Sequence, residues 1–430
     1  MITIENLYKY FLDCKSVVID TRKIEKNSMF IAIKGDRFDA NTFANEALSL
    51  GASYVVIDDV NFFIDERTIL VENGLSTLQQ LASYHRMQLK CPIIALTGSN
   101  GKTTSKELIN VVLSKKYAVK ATVGNLNNHI GVPLTLLSFD TTTEIGIVEM
   151  GANHQKEIEF LCEIAQPDFG YITNFGKAHL EGFGGVEGVI NGKSEMYNYL
   201  IANKKTVFVN LDDQIQVLKT AGLNQFSFSL NNSNASVFIS NSTANPFVTL
   251  DFDGQTIQSQ LIGLYNVSNI CIAITIANYF KVPTMQIKNA IESYVPENNR
   301  SQLITKNSNK IILDAYNANP SSMLVAINNF LQLEAENKVL ILGDMFELGS
   351  ESAVEHQFIV DYLTKQNFAS CTFVGQAFFD CAKSIASQSI SFYAYFGDFA
   401  NALVDNPFQN STILIKGSRG IALERTLNFL

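Results

Sequence analysis

The sequence predicts an α/β protein of three domains: a small mixed α/β N-terminal domain, a central P-loop-type parallel-sheet domain, and a C-terminal Rossmann-like α/β domain. Three observations carry this. A chain of 430 residues is too long for one compact core. Two separate stretches alternate short apolar β-like runs with helical ones, the pattern of parallel sheets covered by helices. The first stretch is preceded by a segment that mixes strands and helices without that regularity. The expected division is 1–88, 89–298 and 299–430, with hinges near Leu89–Pro92 and Pro296–Arg300.

In chain order, the first segment holds SVVID, MFIAI and YVVID, then a helix over LSTLQQLASYHRMQ. From Pro92 the runs are IIAL, IGIVEM, FGYITN and TVFVN, with helices between them. The Asn- and Ser-rich stretch Asn231 to Pro246 keeps apolar residues in alternation, so it reads as hairpin and turn. The second series is KIILDAY, KVLILGD, CTFVG and TILIKG, each followed by a helix.

Composition narrows the function. Apolar residues make up 47% and charged residues 17%, as in an ordinary soluble chain. A net charge of −9 argues against nucleic acid and anionic membrane surfaces. ICIAITIANYF (Ile270 to Phe280) is too short and too interrupted for membrane insertion. The start, MITIENLYKYF, lacks the basic flank and cleavage site of a signal peptide. Six cysteines form no CxxC pair and mostly sit in apolar runs, as reduced core thiols do. A cytoplasmic location is therefore expected.

The stretch IALTGSNGKTTSKE runs from strand through a glycine turn into a helix beginning at Lys102. That geometry aims the N–H groups of Gly98, Ser99, Asn100 and Gly101, and a helix N-terminus, at phosphates. Lys102 then reaches the outer phosphates and the Thr103 hydroxyl holds Mg²⁺. The usual GxxxxGK[ST] signature wants glycine at Leu96; here only two residues separate Gly98 from Gly101. An ordinary glycine turn followed by lysine fits the order of elements less well.

Three further positions belong to the same neighbourhood. Glu149 closes a buried strand, where open parallel sheets place their ligands; a helix N-cap acid fits equally. His179 follows the third strand of the same sheet within a Gly-rich loop, so Thr103, Glu149 and His179 are expected on one sheet edge, with His179 as a metal ligand. Lys193 falls on a helix face with Val189, Ile190, Met196, Tyr197 and Leu200. A stem lying on apolar surface with its head in water explains that as well as a functional amine does, and the pattern leaves both open.

The segments TGSNGKTT, VEMG, TNFGKAHLE, GLYNVSN, NNR and DAYNANPSSM, in that order, resemble the Mur ligase family over essentially the whole chain. These are cytoplasmic enzymes that build the peptidoglycan stem peptide by ATP-driven amide formation, and the short phosphate loop is the family's form. DAYNANPSSM, LGDMFELG, IKGSRG and the N-terminal DTRKIEKNSMFIAIKGDRFDANTF are similar to the members that add D-Ala-D-Ala to UDP-N-acetylmuramoyl-tripeptide. The DNPR tetrapeptide of the diamino-acid-adding members is absent.

The resemblance implies roles residue by residue. Lys102 and Thr104 belong to the phosphate loop; Thr103, Glu149 and His179 sit at magnesium; Asn128 lies near the γ-phosphate; Lys193 matches the family lysine that becomes carbamylated. Asn269 faces adenine, Arg300 reaches the phosphates across the hinge, Asp314 contacts the ribose, and Asn317 and Asn319 lie in a nucleotide-side loop. Thr21, Arg22, Lys34, Asp36 and Asp39, with Lys416 and Ser418, belong to substrate binding. A monomer is expected. Tyr265 stands where the family usually has His, and DANTF replaces the more usual DGHxF. The alternatives are another amino-acid ligase of the family, folylpolyglutamate synthase included, or a scaffold that kept nucleotide binding and lost catalysis. Intact Lys102, Thr103, Glu149, His179 and Lys193 argue against the scaffold.

Overall fold

The computed structural model describes residues 2–297, 299–384 and 389–430; Asn298, within the second expected hinge, lies outside them. The strands form separate sheets, and among the described residues no strand pairing joins the first 88 residues to the rest or crosses position 298.

The N-terminal sheet is parallel, in the spatial order Ser16–Val18, Ser28–Ile31, Ala52–Ile57, Thr68–Leu70. Asn73 starts the following helix, Gly74–Gln88, by accepting the Ser76 N–H at 2.8 Å, satisfying a donor that the helix leaves unpaired. This helix packs on the central domain. Its buried Arg86 donates to the carbonyls of Ala165 and Gln166 and to the Asp168 carboxylate at 2.7 Å, so the joint at Leu89–Pro92 is braced from both sides.

The central sheet has seven parallel strands. Ile93–Thr97 lies in its interior, with Ile145–Glu149 on one side and Phe169–Ile172 on the other. All five residues of Ile93–Thr97 are buried, as in a parallel strand covered on both faces. The first strand in sequence thus has its successors on opposite sides, which opens a crevice at the carboxyl ends. The region 231–246 does supply turn and strand: Ser240–Ala244 enters an antiparallel sheet with Phe247–Phe252 and Gln255–Ile262. Val267–Tyr279, the apolar helix of the sequence, is buried against the central sheet; among the described residues no helix is long and apolar enough to cross a membrane.

Among the described residues the C-terminal sheet has six strands, five of them parallel, with Thr412–Lys416 between Asn309–Asp314 and Lys338–Gly343. One expectation fails here. The chain after Thr412–Lys416 forms 3₁₀ turns, Arg419–Ile421 and Leu423–Phe429, and not an α-helix. Ala422 between them adopts φ +54°, a left-handed conformation that interrupts α-helical hydrogen bonding. One apolar core runs from Leu7 and Met29 through Ile93 and Val148 to Ile327 and Leu340, binding the three units together.

Candidate functional site

The phosphate loop is shaped by what lies behind it. At Gly98 (φ +141°) a Cβ would come within 1.9 Å of Thr173 Oγ1, and at Gly101 (φ +80°) within 2.5 Å of Asn269 Oδ1. Only glycine serves at either place. The segment after Phe169–Ile172 straps the loop down: Thr173 Oγ1 donates to the Asn100 carbonyl at 2.5 Å, and the Asn100 N–H donates to Asn174 Oδ1 at 3.1 Å. Ser99 Oγ donates to the Gly176 carbonyl at 2.7 Å. The helix Lys102–Leu113 follows at once, so its first N–H groups face the crevice.

Lys102 Nζ folds back to the Gly98 carbonyl at 2.6 Å. Burial lowers its pKa; Glu149 opposes that shift and Arg300 adds to it. Glu149 is 1% exposed. Its Oε1 accepts the Asn127 amide at 2.8 Å, while its Oε2 is buried without a hydrogen bond. A half-paired buried carboxylate is costly, and the free oxygen suits a hard cation. Thr103, buried at the first turn of the helix, lines the same cavity. Among the described residues no three His, Cys, Asp or Glu side chains converge as a ready-made metal site. The donors present fit Mg²⁺, which keeps waters and substrate phosphates as ligands.

Lys193 is 1% exposed, which removes the reading of a wet head on an apolar stem. Its amine lies 5.2 Å from the centre of the Phe183 ring and makes no hydrogen bond or ion pair among the described residues. Burial first, and then the Lys102 charge, push its pKa well below the usual lysine range.

The cavity, about 720 Å³, is walled by both the central and the C-terminal domain. Ser99 through Thr104, Asn128, Glu149, His179 and Asn269 line it from one side; Arg300, Asp314, Asn317, Asn319 and Lys416 line it from the other. Arg300 stacks on Tyr316 with its guanidinium carbon 3.7 Å from the ring centre, and its Nε is buried without a partner. Lys416 Nζ meets Asp314 Oδ2 at 2.6 Å, and the Ser301 N–H donates to Asp314 Oδ1 at 3.2 Å. Asn128 Oδ1 accepts the Gly131 N–H at 2.9 Å, so it also shapes its own loop. Asn269 is committed to the protein: Oδ1 accepts from Ser105 at 2.9 Å and Nδ2 donates to Asn266 at 2.8 Å. Tyr265, half-buried at the cavity wall, bonds Ser301 Oγ at 2.7 Å, so its hydroxyl spans the linker.

Other expected residues lie elsewhere. Ser418 does not line the cavity; its Oγ accepts the Phe346 N–H at 2.9 Å behind the loop 345–348. Thr21, Arg22, Lys34, Asp36 and Asp39 do not line it either. Arg22 pairs with Asp20 at 2.7 Å and Lys34 with Asp39 at 3.3 Å, both toward solvent. The Asn41 of DANTF is buried, donating to both Asp39 and Asp58 at 2.7 Å. Three residues that touch the site's components had no role assigned from the sequence: Asn127 on Glu149, Tyr316 under Arg300, and Glu347 against His179.

Comparison with known proteins adds to this geometry. Residues 96–277 match the family model described as Mur ligase middle domain, and residues 299–419 match Mur ligase, glutamate ligase domain. The UDP-N-acetylmuramoyl-tripeptide–D-alanyl-D-alanine ligase of Bacillus subtilis is 33% identical over 422 residues, covering 96% of this chain and 92% of that one. MurF from Acinetobacter baumannii superposes with a TM-score of 0.86 at 29% identity, over 99% of this chain and 97% of that one. MurF ligase from Thermotoga maritima, solved in complex with ADP, gives 0.82 at 25% identity, over 97% of each chain.

Proposed function

The chain belongs to the Mur ligase family, and on that premise we propose that it joins D-alanyl-D-alanine to UDP-N-acetylmuramoyl-tripeptide in peptidoglycan precursor synthesis, driven by ATP and passing through an acyl phosphate. One observation carries the reading of the site. A single cavity gathers the phosphate loop, a buried carboxylate with an unpartnered oxygen, and an arginine from the opposite domain.

The chemistry follows from physical need. A carboxylate is a poor acyl donor, so the γ-phosphoryl group is transferred to the terminal carboxylate of the tripeptide, releasing ADP. Two anions must approach in line. Lys102 and Arg300 offset their repulsion and stabilise the transferring group's oxygens. Magnesium, when bound, supplies Lewis-acid neutralisation of the phosphates, and Thr103, Glu149, His179 and Lys193 would hold it. The dipeptide amine then attacks the acyl carbon, and phosphate leaves from the tetrahedral intermediate. Asn317 and Asn319 border the nucleotide, Asp314 takes the ribose, and Asn269 underlies the adenine side. Lys416 orients Asp314, which the 2.6 Å pair supports. Thr21, Arg22, Lys34, Asp36 and Asp39 hold the UDP-sugar end, with Ser418 supporting the C-terminal wall. The domain division is 1–88, 89–298 and 299–430, in keeping with sheets that share no strands. We read the enzyme as a cytoplasmic monomer.

Lys193 is carbamylated in the active form. Burial and the Lys102 charge favour the neutral, nucleophilic form of this amine, which makes no hydrogen bond among the described residues. Its addition to CO₂, with loss of one proton, gives an anionic oxygen donor of the type magnesium takes.

Phosphate release from ATP tests the function. It should require UDP-N-acetylmuramoyl-tripeptide and D-Ala-D-Ala together. Faster turnover of a dipeptide-stage precursor with L-lysine or diaminopimelate would overturn the assignment within the family.

A further inference from the structure

His179 lines the central-domain side of the cavity and opens the helix Leu180–Phe183 with φ +54°. Its Nδ1 lies against the Glu347 carboxylate, which comes from the C-terminal domain, in a close contact that is not aligned as a hydrogen bond. Glu347 is carried by the LGDMFELG segment, for which sequence reasoning found no role.

That segment is built to hold one shape. Glu347 has φ +61°, which a residue with a side chain seldom adopts unless its neighbours fix it. The Met345 N–H donates to buried His356 Nε2 at 3.0 Å, and the Phe346 N–H donates to Ser418 Oγ at 2.9 Å. On the far side, the Glu347 carbonyl accepts the Glu181 N–H at 3.4 Å, and a Cβ on Gly349 would come within 3.1 Å of the Glu181 side chain. Lys177 pairs with Glu355 at 2.5 Å alongside. The carboxylate therefore arrives at the imidazole from a braced loop.

A carboxylate on Nδ1 keeps the proton there, leaving the Nε2 lone pair free to act as a ligand. We infer that Glu347 is a positioning residue: it fixes the tautomer and the ring orientation of His179, and it does so only while the C-terminal domain is docked. Domain closure then completes the metal side of the site as well as the nucleotide side. This rests on the proposed place of His179 at magnesium.

The test uses full-length enzyme in two backgrounds, native and His179→Ala, each with and without Glu347→Ala. With only five histidines, ¹⁵N-histidine spectra can resolve the tautomer of His179 in the complex with magnesium, a non-hydrolysable ATP analogue and UDP-N-acetylmuramoyl-tripeptide. The expected result is an Nδ1–H tautomer that Glu347→Ala abolishes. The kcat of Glu347→Ala should fall roughly 10- to 100-fold, the usual range for losing such a support. The KM for D-Ala-D-Ala should hold, and there should be no further loss in the His179→Ala background. An Nε2–H tautomer in the native enzyme, or equal losses in both backgrounds, overturns the inference. If His179→Ala is impaired but Glu347→Ala is not, the inference alone falls. If His179→Ala leaves kcat and the magnesium requirement unchanged, the metal role of His179 falls first and takes the inference with it.

Discussion

The Asn319 side-chain amide donates to Asn100 Oδ1 at 2.7 Å, joining the C-terminal domain to the phosphate loop. The same side chain accepts the Ser322 N–H at 2.9 Å and so caps the helix Pro320–Gln332. One residue thereby ties the start of a C-terminal helix to the nucleotide side of the central domain.

Asn319→Ala should weaken docking of the two domains. Losing the cap costs about 1 kcal/mol, and the contact to Asn100 goes with it. In small-angle scattering with ATP analogue and UDP-substrate, the variant should keep a larger radius of gyration than the parent. Identical compaction of both proteins would count against this contact as a closure element.

Lys102→Ala should lose turnover and stay folded. A charge aimed at a transferring phosphoryl group acts mainly in the transition state, so a kcat loss on the order of 10²-fold or more is expected, with an unchanged circular dichroism spectrum. An unaltered kcat refutes the phosphate role.

Lys193→Ala should be nearly inactive and should regain part of its activity with acetate or formate, which can place a carboxylate in the vacated space. Mass spectrometry under bicarbonate should find the native enzyme heavier by one CO₂. Full activity of the variant, or a plain amine in metal-loaded crystals grown with bicarbonate, rules the carbamate out.

Stability should fall between neutral pH and mild acid. His85 is 5% exposed, with Nε2 2.9 Å from the Phe139 carbonyl and Nδ1 3.0 Å from the Tyr8 hydroxyl, an arrangement for the neutral ring. Burial lowers its pKa; the Phe139 carbonyl and Asp140 oppose the shift, and Lys120 adds to it. The unfolded chain takes up the proton near pH ~6.5 and the folded one only below that. The contribution is therefore complete above about pH 6.5 and is lost as pH falls beneath it. His356 shifts in the same direction, again from burial. Thermal melts from pH 7.5 to 5.5 should show a declining midpoint, with a shallower decline in His85→Gln. An equal slope in that variant dismisses His85 as a contributor.

Much of the site was legible because its logic is local or follows from sheet topology. IIAL, TGSNG and GKTT state strand, turn and helix in consecutive residues, and parallel pairing of Leu96 with Glu149 and with Tyr171 puts the later ligands on the same edge. The helical period placed Lys193 on an apolar face, but only tertiary packing decides whether its head reaches water, and at 1% exposed it does not. Contacts between separate loops left no periodic trace, so Asn127, from another loop of the central domain, and Glu347, from the C-terminal domain, went unassigned. Ser418 follows a strand end, where a side chain can face the cavity or the loop behind it, and it faces the loop. The last helix failed because Ala422 turns left-handed between Gly420 and Leu423, a backbone choice that side-chain pattern does not encode.

The most direct test of the ligase reading is the mass of the nucleotide-sugar product, measured with ADP and phosphate in the same reaction. Purified enzyme, ATP, magnesium and UDP-N-acetylmuramoyl-tripeptide, offered D-Ala-D-Ala among competing amino acids and dipeptides, should yield one product. That product should carry the intact D-Ala-D-Ala dipeptide less one water, with one phosphate released per molecule formed. A product carrying a single amino acid, or steady phosphate release with the sugar-peptide unchanged, would contradict it.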